Sequence, residues 1–229
     1  MIKTRICIPV MGKTTAEFIE NLNESQALSN VVELRVDSIV HFIFEDLLKI
    51  KKALKVNALF TCRRGDEGGI TKISEDKRLQ IFKIADTLGF PFIDIELATF
   101  KENSTLLKGF KTPIICSIHN FIRTPSVGEL DTLLQQAWMY PVQMVKIATF
   151  VHSYTDIEVL FSYMSRQDKK TPIIIVGMGE LGRITRVIGP LVGSYLTYAS
   201  NHGASSAPGQ MDINEIKRYY QLLGPLYGR

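Results

Sequence analysis

Short apolar, β-branched segments alternate with longer amphipathic ones from one end of the chain to the other. A run of four to eight such residues bounded by turn formers reads as a strand. Apolar residues recurring every three or four positions over ten or more residues read as a helix. On that basis strands are expected near Thr4–Pro9, Val31–Val36, Ala58–Cys62, Phe92–Ile95, Ile114–Ser117, Met144–Ile147, Pro172–Val176 and Gly193–Tyr198. Helices are expected near Thr15–Leu28, Phe44–Leu54, Glu75–Leu88, Thr99–Lys108, Val127–Trp138, Thr155–Ser165, Arg183–Val187 and Ile213–Leu223. Eight strands alternating with eight helices argue for a parallel sheet covered by helices, and its natural closure is a (β/α)8 TIM barrel. A doubly wound open sheet is the competitor. No linker or repeat interrupts the pattern, so residues 1–229 are expected to form a single catalytic domain.

Composition changes this picture little. The chain has 229 residues, 45% of them hydrophobic and 22% charged, which suits one packed domain of ordinary globular usage. No apolar run approaches the ~20 residues needed to cross a bilayer. The N-terminus (Met1-Ile2-Lys3-Thr4-Arg5) lacks a signal-peptide pattern, so a cytoplasmic location is expected. Cys7, Cys62 and Cys116 each fall inside an apolar strand-like segment, as buried core residues rather than a disulfide or zinc framework. The net charge of +4 is scattered rather than striped, which fits an anionic small molecule at least as well as nucleic acid.

In a barrel, chemistry sits at the C-terminal ends of strands. Those ends carry Glu33 and Arg35 on one side of strand two, Arg63 after strand three, Asp94 and Glu96 on strand four, His119 after strand five and Lys146 within Val145-Lys146-Ile147. Lys146 is the outlier, a cation inside an apolar strand. Its amine could snorkel to water or pair with Glu96. Alternatively its pKa is lowered by desolvation and by neighbouring cations (Arg35, Arg63, Arg186), so that it attacks a ketone. His119 is either a hydrogen-bonded strand-end residue or a proton carrier beside an imine carbon, with Glu67 placed to fix its tautomer.

Gly177-Met178-Gly179-Glu180-Leu181-Gly182 matches GxGxxG after a strand, which keeps a nicotinamide-cofactor protein open. The next strand, however, ends in Ala199-Ser200-Asn201 without the carboxylate that would hold a ribose, so a loop after strand seven is the better reading. Asn201 to Gln210 is small and polar: either a plain connection or a lid bringing Ser206 and Gln210 onto a substrate.

The motifs ELRVD (Glu33–Asp37), TCRRGDEGG (Thr61–Gly69), DIE (Asp94–Glu96), SIHNF (Ser117–Phe121), VKIA (Val145–Ala148), GMGELGRITR (Gly177–Arg186) and SAPGQ (Ser206–Gln210) follow one another in order. Together they resemble the type I 3-dehydroquinate dehydratases over almost the whole chain. The resemblance implies a shikimate-pathway lyase of aromatic amino-acid biosynthesis. It would convert 3-dehydroquinate to 3-dehydroshikimate and water by syn elimination through a lysine Schiff base, without metal or bound cofactor. It implies Lys146 as the imine-forming residue, His119 as the proton shuttle and Glu67 as its carboxylate partner. Arg186 matches the grip on the substrate carboxylate, and Glu33, Arg35, Arg63, Ser206 and Gln210 match residues holding ring hydroxyls. Met178 and Tyr198 match apolar contacts.

Two departures stand out. The first strand begins too near Met1 for the N-terminal hairpin that plugs many of these barrels. The loop before Ser206 is about one residue longer than usual, which leaves Ser205 as a rival to Ser206. The tail, Gly224 to Arg229, resembles a connector to a shikimate dehydrogenase domain in fused enzymes, so such a fusion or association, and a homodimer, stay open. The rival enzyme is a class I aldolase or transaldolase, which runs the same lysine chemistry on sugar phosphates.

Overall fold

The computed structural model describes residues 5–103, 105, 109–166, 172–201 and 206–224. The strands are β1 (Ile6–Val10), β2 (Val31–Arg35), β3 (Asn57–Thr61), β4 (Phe92–Glu96), β5 (Ile114–Asn120), β6 (Met144–Phe150), β7 (Ile173–Met178), β8 (Thr197–Ser200) and a two-residue β9 (Met211–Asp212). The helices are α1 (Thr15–Leu28), α2 (Phe44–Ala53), α3 (Glu75–Thr87), α4 (Leu97–Asn103), α5 (Val127–Trp138), α6 (Tyr154–Arg166), α7 (Arg183–Val192) and α8 (Ile213–Leu223). All pairings are parallel, in the order β7-β6-β5-β4-β3-β2-β1-β8-β9. The ends of that ladder meet where the Tyr195 N–H donates to the Ile173 carbonyl (2.8 Å) and the Ile175 N–H donates to Ser194 Oγ (3.1 Å). The result is the α/β barrel expected from the alternation.

Period-two alternation along each strand sorts the side chains. Val32, Leu34, Phe60, Ile93, Ile95, Val145 and Ile147 join Phe18, Leu22, Leu47, Phe82 and Leu160 of the helices in one buried outer core. The residues between them turn into the ring, where Leu59, Ile115, Met144, Ile174 and Leu196 form a separate cluster. Glu33, Asp94 and Lys146 occupy inward positions of the same alternation, and this is how three charges come to stand in otherwise apolar strands. Side-chain caps start several helices: Thr14 accepts from the Glu17 N–H, Ser126 and Glu129 form a capping box, and Asp212 accepts from the Asn214 N–H.

The seventh unit departs from expectation. Helix α7 continues past Val187 to Val192 with Pro190 inside it. Pro190 has no N–H for the carbonyl of Arg186, one turn back. The Tyr220 hydroxyl of α8 donates to that carbonyl instead, at 3.2 Å. The helix then stops at Gly193, φ 134°, where a Cβ would lie 2.4 Å from the Met164 carbonyl oxygen. Gly193 is therefore a helix cap rather than the first residue of a strand, and β8 begins only at Thr197.

Candidate active site

The C-terminal ends of the strands open onto a cavity. Glu33, Arg35, Arg63, Glu67, His119, Lys146, Met178, Arg186, Tyr198, Ser206 and Gln210 all line it. These are the residues that sequence reasoning assigned to catalysis and binding. Gly68, Phe121, Ala148, Val176 and Ala207 line it too and had no assigned role. Phe121 lay inside the quoted SIHNF motif, so the signal was available. Ser205 lies outside the described residues.

Lys146 sits at the bottom, 5% exposed. Its amine donates to Glu33 Oε1 (3.0 Å) and Asp94 Oδ2 (3.2 Å) and lies 4.6 Å from the centre of the Tyr198 ring. The expected partner, Glu96, is instead bound by Arg63 Nη1 (3.0 Å) and by Arg78. The expected neighbouring cations are likewise replaced by carboxylates as the nearest charges. The reason is strand alternation: Glu96 stands one inward position nearer the mouth than Asp94, beyond the amine. Arg63 also reaches Asp94 Oδ1 (2.9 Å) and Ser117 Oγ (2.7 Å). Burial alone would raise the Asp94 pKa, but Arg63 and Lys146 outweigh it and hold the carboxyl well below the usual carboxylate range.

Above this layer Asp37 organises the loop after β3. It takes Arg35 in a bidentate pair (2.9 and 2.7 Å) and accepts the backbone N–H groups of Arg63 (3.2 Å) and Ile70 (3.1 Å). The loop so held places Glu67 Oε2 2.8 Å from Nδ1 of His119 and 3.2 Å from its backbone nitrogen. Burial and the charge of Glu96 push Glu67 up to about 7. Burial, Arg63 and Lys146 together hold His119 well below its ordinary value, so the ring is neutral. With Nδ1 engaged by Glu67, Nε2 is the nitrogen left for the cavity.

Arg186, on α7, is 2% exposed. Its Nη2 donates to the Pro208 carbonyl at 3.3 Å and its Nε has no partner. Burial pushes it down to about 10. Among the described residues the other buried cations, Arg35, Arg63, Arg78 and Lys146, each face a carboxylate. Arg186 is the one left over, and it faces the cavity. Gln210 Oε1 accepts from the backbone N–H (2.7 Å) and the hydroxyl (3.1 Å) of Ser206, which ties together two residues of the cavity wall.

The glycine motif serves packing. A Cβ on Gly182 would lie 2.5 Å from backbone atoms of Gly177 and Met178, and the Gly177 N–H donates to Thr185 Oγ1 (2.8 Å). The motif thus seats α7 tightly on β7 and brings Arg186 to the cavity.

A family model described as type I 3-dehydroquinase matches residues 6–227. The chain is 35% identical over 228 residues to a 3-dehydroquinate dehydratase of Coxiella burnetii, covering 98% of this chain and 97% of that one. Its fold is similar to the crystal structure of 3-dehydroquinate dehydratase from Geobacillus kaustophilus, with a TM-score of 0.88 and 27% identity over 99% of this chain and 93% of that one. It is also similar to the type I enzyme of Clostridium difficile crystallised with covalently modified comenic acid, with a TM-score of 0.84 and 27% identity over 97% and 93%. The order of the motifs, the barrel that carries them and these likenesses agree: the chain belongs to the type I 3-dehydroquinase family.

Proposed function

We propose that this chain dehydrates 3-dehydroquinate to 3-dehydroshikimate through an imine on Lys146. The observation that carries the reading is a buried lysine amine at the bottom of a cavity whose walls also hold a neutral histidine and an uncompensated arginine.

The substrate carboxylate binds Arg186, whose missing counter-charge it supplies. Lys146 condenses with the C3 ketone. The protonated imine keeps the single positive charge of the ammonium it replaces, so the pairing with Glu33 and Asp94 is preserved. That imine is an electron sink. Nε2 of His119 takes the C2 proton, the C2–H electron pair moves into the enamine, and the C1–O bond breaks as the pair returns. His119 hands the same proton to the departing hydroxyl, which leaves as water. Removal and delivery by one base on one face give syn elimination. Hydrolysis of the imine frees the product. Glu33, Arg35, Arg63, Ser206 and Gln210 hold ring hydroxyls in this scheme, and Met178 with the Tyr198 ring packs the carbocycle.

The reading extends to one catalytic domain in the cytosol, to a homodimer and to fusion or association with a shikimate dehydrogenase. Among the described residues no helix is long and apolar enough to cross a membrane. The test is borohydride trapping with 3-dehydroquinate beside an ultraviolet assay for the enone product. A reduced adduct on Lys146 and enone absorbance are expected. An active enzyme with no adduct overturns the mechanism, and cleavage of sugar phosphates without enone formation returns the aldolase.

A further inference from the structure

Besides Nε of Arg186, a second buried donor on the cavity wall lacks a partner: the hydroxyl of Tyr198. The residue is 5% exposed, so bulk solvent does not reach it. A buried phenol normally finds an acceptor, and leaving one unmade costs more than a made hydrogen bond gains. Phenylalanine would present the same ring to Lys146 and bury no hydroxyl. Packing therefore accounts for the ring and leaves the oxygen unexplained.

The position of the ring suggests a use for its oxygen. Tyr198 stands on β8 in register with Cys7 of β1, and its ring faces the Lys146 amine at 4.6 Å. Any ketone carbon that the amine attacks must come within bonding distance of Nζ, which brings the ketone oxygen close to this ring. Glu33 and Asp94, which hold the amine, are both acceptors and disfavour negative charge on that oxygen. Among the described residues Glu33, Asp94 and Tyr198 stand against the amine, and of these Tyr198 has a proton to offer.

We propose that the Tyr198 hydroxyl donates a hydrogen bond to the substrate's ketone oxygen as Lys146 adds to it, and to the hydroxyl of the carbinolamine that results. The proposal rests on the reading of Lys146 as the imine-forming residue and gives Tyr198 a catalytic contact beyond an apolar one. The step balances without a further acid. The ammonium first loses a proton to His119. The C–N bond then forms, and the carbonyl π pair moves to oxygen opposite the phenol. His119 returns its proton to that oxygen, a second proton follows from nitrogen, and the C–O bond breaks to release water. Of the three ammonium protons two leave in that water and one stays on the iminium. Burial and the charge of Glu33 hold the phenol well above its ordinary value, so it donates the bond without surrendering its proton.

The test is Tyr198→Phe, which keeps the ring over Lys146. Enzyme and 3-dehydroquinate are mixed, quenched with borohydride at successive times, and the mass on Lys146 is followed. The adduct should form about 10-fold more slowly, between the loss of a neutral hydrogen bond and that of an oxyanion donor. Substrate affinity should stay within about 3-fold, separating chemistry from binding. The Tm of the free protein should be equal or higher, because an orphaned hydroxyl is gone. A wild-type rate of adduct formation overturns the proposal. So does weaker binding at an unchanged rate, which would put the hydroxyl on another substrate oxygen, or a lower Tm, which would make it structural. If the wild type itself gives no adduct, the imine reading fails; a normal wild-type adduct with an unaffected variant defeats only the role of Tyr198.

Discussion

Glu67→Gln isolates the proton logic of the site. Glu67 Oε2 lies 2.8 Å from His119 Nδ1, and together the two groups behave as one titrating pair. With Glu67 ionised and His119 neutral, Nδ1 carries the ring proton and Nε2 is free to act as the base. One further proton switches the base off wherever it settles. On Glu67 it makes the carboxyl the donor to Nδ1 and moves the ring proton to Nε2; on the ring it occupies Nε2 directly. Burial and Glu96 set uptake by Glu67 at about 7, while burial, Arg63 and Lys146 keep His119 well below its ordinary value. The acid limb of kcat/KM therefore falls as pH drops through about 7 and belongs to the carboxyl end of the pair.

One unit below that midpoint, near pH 6, roughly a tenth of the enzyme retains a free Nε2. Glutamine can still accept from Nδ1–H, so it preserves the tautomer and cannot take up the proton. The limb should then move down to the low pKa of His119 itself. On the plateau the variant should run about 10-fold slower, because a neutral acceptor replaces a charged one and stabilises the imidazolium less by roughly 1–1.5 kcal/mol. The two profiles should converge near pH 6. The assay is kcat/KM from enone absorbance at constant ionic strength. A wild-type profile flat from about pH 6 to 8, or a variant that keeps its limb near 7, would refute the reasoning.

Lys146→Met should give no borohydride adduct and should also destabilise the protein by about 3–5 kcal/mol at neutral pH, since Glu33 and Asp94 lose their shared cation. Urea unfolding should show that deficit shrinking as pH falls and Asp94 takes up a proton. Arg186→Met should raise KM by about 10- to 100-fold, the range of a lost charge-assisted hydrogen bond, with kcat little changed. The ligand-free Tm should not fall, because a buried cation without a counter-charge has been removed; a lower Tm would contradict the surplus-charge assignment. Tyr220→Phe should lower stability by about 1 kcal/mol, a Tm drop of roughly 2–4 °C, and raise KM as the turn bearing Arg186 loosens. A KM equal to the wild-type value would confine that hydroxyl to structure.

Much of this architecture was legible before any coordinates because strands and helices have different periods. Helices α1, α5 and α8 run over the residues expected of them, and every expected site residue lines one cavity. The misses fall where local rules are overridden from a distance. The helix expected over Arg183–Val187 instead runs through Pro190 to Val192, where Tyr220, 34 residues after Arg186, satisfies the carbonyl that Pro190 leaves open. Gly193 looked like a strand start because nothing local shows that Met164 backs onto it. The pairing of Lys146 with Asp94 instead of Glu96 was readable in principle from alternation. It needed the depth of β4 relative to β6 around the ring, which depends on the stagger of the barrel.

That stagger also determines how the charges balance, and the balance ties stability to chemistry. Asp37 faces Arg35; Glu33, Asp94 and Glu96 share Lys146, Arg63 and Arg78. Each of these carboxylates has a cation, so the layer is buried without a net charge. Arg186 breaks the parity, and a molecule bearing one carboxylate restores it. Forming the protonated imine exchanges one positive charge for another and leaves the parity as it was. The step that does move charge is proton removal at C2, which neutralises the iminium as it creates an imidazolium on His119. That positive charge appears next to Glu67, among the described residues the one cavity carboxylate without a permanent cation of its own. The barrel thus keeps its fixed charges paired with one another and reserves two unpaired ones, Arg186 for the substrate and Glu67 for the proton in transit.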